Sequence, residues 1–113
     1  MHTHEQRTEA RAPIDILLNK FVSGVPYLCR ASNISQGGML LHKLLEPEQQ
    51  VLPPVIGLQF ELPGYDRVLT AAATVVYEHP YMRAVGVRFT SLADDHRRLI
   101  QRYLLESAYR KSA

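Results

Sequence analysis

Hydrophobic and polar residues alternate along most of this chain, with the two-residue period of half-buried strands. Ile14, Ile16 and Leu18 share one face of a strand predicted over residues 14–20. A second strand is predicted over 25–32, with Ser23-Gly24 as the turn between the two. Ile56, Leu58, Phe60 and Leu62 alternate with Gly57, Gln59 and Glu61. The clearest run is 67–77, where Leu69, Ala71, Ala73, Val75 and Tyr77 point one way. A last strand groups Val85, Val87 and Phe89. Pro63-Gly64-Tyr65-Asp66 reads as a tight turn. Glu78-His79-Pro80-Tyr81 links the last two strands, because the proline drives His79 out of helical geometry.

Residues 42–54 read as an irregular connection, since Pro47, Pro53 and Pro54 interrupt any ladder. Leu44 and Leu45 are expected to tuck into the barrel mouth. Near the C-terminus the period changes. Ser91-Leu92-Ala93-Asp94 has the form of a capping box with aspartate in place of glutamate. Leu92, Leu99, Ile100, Tyr103 and Leu104 then recur at helical spacing, with Asp95, Arg98, Arg102 and Glu106 on the water side. About six short antiparallel strands and one helix indicate a small closed β-barrel, a form without open edges. The predicted organisation is a flexible arm over 1–12, an antiparallel barrel over 13–91 and a packed C-terminal helix over 92–110. Any part of the helix stripe left exposed would serve as a dimer or partner surface.

Composition narrows the function classes. The 113 residues make one domain, 46% hydrophobic and 21% charged, as in an ordinary globular protein. A net charge of +2 without a lysine/arginine block argues against DNA or RNA as the partner. No apolar run is long enough to span a membrane, and the polar start Met1-His2-Thr3-His4-Glu5 carries no signal-peptide core. The single cysteine, Cys29, excludes an internal disulfide and a cysteine zinc cage. These features point to the cytoplasm.

Two polar motifs stand out from the strand pattern. Arg7-Thr8-Glu9-Ala10-Arg11 places two arginines four residues apart, and Asn33-Ile34-Ser35-Gln36-Gly37-Gly38 is a polar turn ending in two glycines. Arg11 and Asn33 are 22 positions apart, so a hairpin folded near residue 22 lays one beside the other. Guanidinium forks grip phosphate oxygens or the O6/N7 edge of guanine, and their flat faces stack on bases. Asn33 offers a donor and an acceptor for a base edge, and Ser35 a hydroxyl. Gly37 and Gly38 permit positive φ and close approach of a ligand to the backbone. The chemistry suits an anionic, purine-bearing ligand.

Catalysis and metal binding have less support. His96 with Asp94 and Asp95 sits at a helix start, where acidic side chains serve the dipole. His2 and His4 lie in the polar terminus, while His42 and His79 are lone loop histidines. Cys29 reads as a small hydrophobe in a strand. No catalytic residue, metal or cofactor is assigned.

The two motifs, in this order on this strand pattern, resemble the PilZ domain family. The family's R-x-x-x-R stands here as Arg7 and Arg11, and its D/N-x-S-x-x-G as Asn33, Ser35 and Gly38. Val85-Gly86-Val87-Arg88-Phe89 is similar to its G-V-x-F segment. The likeness runs from about residue 5 to about residue 108. It implies a six-stranded antiparallel barrel with a C-terminal helix that binds cyclic di-GMP. On that resemblance, Arg7 and Arg11 clamp guanine and phosphate, Asn33 and Ser35 read a guanine, and Gly38 shapes the turn. The family often takes the ligand as an intercalated dimer, under the influence of the residue before the first arginine, here Gln6. Asn33 lacks the charge of the aspartate form. The resemblance further implies a receptor acting in trans on an effector protein of motility, pilus, polysaccharide or regulatory machinery, with ligand ordering the arm. A nucleotide-independent adaptor is the alternative, and a barrel binding single-stranded nucleic acid comes third.

Overall fold

The structure, a computed structural model, describes residues 10–46 and 51–112. Six antiparallel strands run in sequence: β1 (Arg11–Val22), β2 (Val25–Ser35), β3 (Gly38–Lys43), β4 (Ile56–Glu61), β5 (Val68–Glu78) and β6 (Ala84–Leu92). One helix, α1 (Asp94–Ser112), follows. The strands close a barrel in the order β1-β2-β3-β6-β5-β4, with β4 pairing back onto β1. This is the fold read from the alternation. β3 is the strand that the alternation does not single out. Its Met39 and Leu41 are 4% and 0% exposed, and its outward Gly38 and Leu40 line the site described below.

The β1–β2 hairpin turns on Ser23 and Gly24, both left-handed at φ 51° and 81°, as a two-residue turn requires. Inside the barrel sit Ile14 and Leu18 of β1, Ile56, Leu58 and Phe60 of β4, Leu62 beyond it, and Val85 and Val87 of β6. Phe89 stacks on Phe60 with centroids 6.4 Å apart. Tyr77 departs from its expected place. A register shift between Val75 and Tyr77 breaks the β5 phase and leaves Tyr77 half exposed on the outer surface.

Leu44 and Leu45 do not tuck into the barrel mouth, and Leu45 is 88% exposed. Glu46 enters instead. Its Oε1 accepts a 2.7 Å hydrogen bond from Lys20 Nζ, and both side chains are shut off from solvent. The alternation puts a charged residue of β1 on the inward face, and only a carboxylate from the β3–β4 connection makes that position tenable. Arg83 donates to the Glu46 carbonyl oxygen at 2.8 Å, which pins the same segment from β6's side.

α1 begins later than the capping-box reading has it. Ser91 is a β6 residue paired with Ala72, and the first helical bond runs from Arg97 N–H to the Ala93 carbonyl. Ala93 therefore holds the N-cap position, and Ser91 lies two residues ahead of it in the sheet. Ile100, Tyr103 and Leu104 pack into the core as expected. Tyr103 donates to the Pro13 carbonyl at 3.1 Å, fixing the helix against the start of β1. Tyr65, in the turn after β4, meets Tyr103 edge-on, donates to Glu106 at 2.8 Å and lies under Arg102. Arg67 pairs with Asp95 at the other end of the helix.

These contacts hold the Glu106 carboxyl, through Tyr65, and the Asp95 carboxyl, through Arg67, below their ordinary values of 4.5 and 3.8. A carboxyl lowered in the folded state stabilises above its unfolded value, and that stabilisation is lost as the pH falls through the folded one. Thermal melts should therefore be flat near neutrality and decline as the pH drops below 4.5. Tyr65→Phe with Arg67→Ala should shrink that acid-side decline. An undiminished decline would place its origin elsewhere.

Candidate functional site

The outer ends of β1, β2, β3, β5 and β6 form an open cleft of about 410 Å³. Five of the six residues predicted from the motifs line it: Arg11, Asn33, Ser35, Gly37 and Gly38. Arg7 and most of the expected arm lie outside the described residues. Arg11 and Ala12, counted with the arm in the sequence, are the first residues of β1.

Two irregularities in the ladders assemble this face. From the turn outward the hairpin pairs Val22 with Val25 and Ile16 with Ala31. A bulge follows, after which Pro13 faces Asn33 and Arg11 faces Ser35. Arg11 is therefore not opposite Asn33, as the midpoint reading expects, but two pairs further out. Without this extra residue of β1, Arg11 would oppose Gln36 and would not share the face of Ser35. The β2–β3 ladder shifts at the same place, between Ala31 and Asn33. Ala31 and Ile34 are both fully buried although three residues apart, so the phase changes between them and Asn33 reaches the cleft. Strict alternation would have buried Asn33.

The serine and glycines have definite tasks. Ser35 Oγ accepts from the amides of Gly37 and Gly38, each at 3.2 Å, and so builds the β2–β3 turn as well as bordering the cleft. Positive φ is confined, among the described glycines, to Gly24 and Gly64, so the conformational reading of Gly37 and Gly38 is corrected. The need at Gly38 is close approach. It pairs with Arg88, and a Cβ there would overlap the Val87 carbonyl oxygen. Gly37's carbonyl in turn accepts from Phe89 N–H at 2.7 Å.

The sequence reading missed two functional candidates, Arg88 and Tyr77, which also line the cleft. Arg88 lay within a recognised segment but in a variable position, and only the β3–β6 register brings it across from Gly38. Among the described residues, neither Arg11 nor Arg88 forms an ion pair, and no carboxylate lines the cleft. Two guanidiniums, an amide and close-approach backbone in one depression suit an anion with hydrogen-bonding edges.

The other candidates fall elsewhere. His42 Nε2 and Ser32 Oγ are 2.8 Å apart, and His96 lies against the Thr70 backbone. Cys29 is fully buried, and burial pushes its thiol up to about 12. No group of histidine, cysteine, aspartate or glutamate among the described residues is placed to hold a metal. No described helix is long and apolar enough to cross a membrane.

Comparison with known proteins decides the family. The model of the PilZ domain matches residues 5–106, a span that contains both motifs. The chain belongs to the PilZ domain family. PilZ domains are ligand-binding and adaptor domains. Among solved structures, the PilZ fold here is similar to the Bacillus subtilis inhibitor of motility MotI/DgrA, with a TM-score of 0.75 at 16% identity. That match covers 94% of this chain and 52% of the other, so the chain spans about half the length of MotI/DgrA. It is also similar to the PilZ domain of YcgR from Escherichia coli, solved with c-di-GMP, with a TM-score of 0.64 at 12% identity and 94% of each chain covered. No curated protein matches by sequence.

Proposed function

We propose that this PilZ domain is a receptor for cyclic di-GMP, binding it in the cleft formed by β1, β2, β3, β5 and β6. The observation that carries the reading is the bulged hairpin, which turns Arg11, Asn33 and Ser35 onto one face beside Arg88. In this reading Arg11 grips a phosphate or a guanine edge, and Arg7 completes the clamp from the segment ahead of β1. Asn33 pairs with a guanine edge, and Gly38 lets the ligand approach the sheet. Arg88 adds a second cation for a ligand with two phosphates. Closure of the segment carrying Arg7 over the ligand changes the surface offered to a partner protein. The name of the MotI/DgrA neighbour supports motility machinery as one target.

Single-stranded nucleic acid fits this surface less well. It would call for aromatic side chains spread over several strands. Among the described residues the clearly exposed tyrosines are Tyr77, Tyr81 and Tyr109, and only Tyr77 is on a strand.

Isothermal titration of the chain with cyclic di-GMP, with GMP and a short oligonucleotide as controls, tests the reading. Arg11→Ala should weaken binding about 10- to 100-fold, the loss of a charge-assisted contact. Its melting should change by less than about 0.5 kcal/mol, because the side chain is exposed. Unchanged affinity in that variant would show that the clamp is wrongly assigned. Equal affinity for oligonucleotide and cyclic di-GMP would favour the nucleic-acid reading, and no binding to either would favour the adaptor.

A further inference from the structure

The half-exposed tyrosine of the cleft has a setting that core packing does not explain. Tyr77 faces Gly86 directly across the β5–β6 ladder. Its ring lies so close that a Cβ on Gly86 would overlap Cε1, Cζ and Cδ1. The ring thus rests on bare backbone on one side. Gly86 beneath it is buried, while half of Tyr77 itself remains open to solvent in the cleft. A tyrosine has only two side-chain torsions, and one clamped onto a strand has little freedom left to lose when a flat group lands on it.

We propose that Tyr77 is the surface on which one guanine ring of the ligand stacks, with Gly86 as the residue that makes the seat possible. The proposal rests on the reading of the cleft as a cyclic di-GMP site and names a determinant that neither motif contains. Three features support it. Tyr77 borders the same depression as Arg11, Asn33 and Arg88. Arg88 is two residues from Gly86 on β6 and shares its outward face, which sets a guanidinium beside the platform. A base on that ring could present its O6/N7 edge to the guanidinium while its face meets the phenol. Cross-strand cover of a glycine by an aromatic ring is also a way to stabilise a sheet. That role accounts for the covered side of the ring and leaves its open side without a function.

The register shift between Val75 and Tyr77 is part of the device. The alternation of β5 would send Tyr77 into the barrel with Ala73 and Val75. The shift sends it outward, opposite a glycine.

The test separates stacking from packing by titrating cyclic di-GMP into the wild-type chain, Tyr77→Phe, Tyr77→Leu and Arg11→Ala, with a thermal melt of each. Tyr77→Phe keeps the ring and should bind within about twofold of wild type. Tyr77→Leu keeps an apolar cover on Gly86 but no aromatic face, and should bind about 5- to 150-fold more weakly, as loss of one stacked base does. The guanine H8 resonance should show a ring-current shift in wild type and Tyr77→Phe that is absent in Tyr77→Leu, a change that lost sheet cover alone would not produce. Wild-type affinity in Tyr77→Leu would overturn the stacking proposal while leaving the cyclic di-GMP reading intact. An equal loss in Tyr77→Phe would overturn it as well, by assigning the contact to the hydroxyl. No binding by the wild-type chain would overturn both.

Discussion

Glu46→Ala is expected to destabilise the protein by roughly 3–5 kcal/mol, the cost of leaving a buried charge without its partner. Lys20 has no solvent-accessible surface, and its Nζ lies 2.7 Å from Glu46 Oε1. The nearby Cys29 thiol is held protonated, pushed up to about 12 chiefly by burial, and remains so with Lys20 close by. The reciprocal change, Lys20→Met, strands Glu46, one of whose oxygens is already buried without a hydrogen-bond partner among the described residues. The double variant Lys20→Met with Glu46→Leu should recover most of the loss, because an apolar pair of similar volume carries no desolvation cost. Urea denaturation of wild type, the two single variants and the double variant measures these differences. A Glu46→Ala variant within about 1 kcal/mol of wild type would mean that Lys20 reaches water by another route.

Gly38→Ala is expected to reduce stability and ligand binding together, which distinguishes it from Arg11→Ala. The added methyl would overlap the Val87 carbonyl oxygen and sit 3.2 Å from the Arg88 Cα, both backbone atoms that cannot swing aside. β3 and β6 would have to separate at the Gly38–Arg88 pair, costing roughly 1–3 kcal/mol as overpacking does, or more. The same movement shifts Arg88 away from Arg11 and opens the wall of the cleft. Gly57→Ala is the matched control. It too lies in a strand, but its new methyl meets nothing closer than Phe21 Cβ at 3.4 Å. Thermal melts and titrations with cyclic di-GMP should show Gly38→Ala impaired in both and Gly57→Ala in neither. A stable Gly38→Ala with wild-type affinity would show that the ladder yields more readily than its geometry implies.

Much of the site was legible because its residue types have few other uses in combination. Arginines four apart and a serine followed by paired glycines survive as a pattern whatever the exact pairing. Their roles were less legible. Ser35 looked like a ligand contact, and its hydroxyl is also committed to two turn amides. Gly37 and Gly38 suggested unusual torsions, while the constraint at Gly38 is the proximity of another strand. Glu46 carried no signal, since an acidic residue among prolines reads as solvated loop. Its importance comes from Lys20, 26 positions earlier.

By itself the sequence determined the barrel, its closing helix and the two motifs, because two-residue and helical periodicities are local properties of the chain. The tertiary structure decided which side chains meet. One extra residue in a ladder reverses every side chain beyond it, and no local pattern reveals where that happens. The shift at Ala31–Asn33 turned Asn33 out to the cleft, the hairpin bulge set Arg11 against Ser35, and the shift after Val75 brought Tyr77 onto Gly86. Arg88 and Lys20 acquired their neighbours from strands and loops distant in the chain. The alternation was enough to build the barrel, and three of its interruptions made the candidate site.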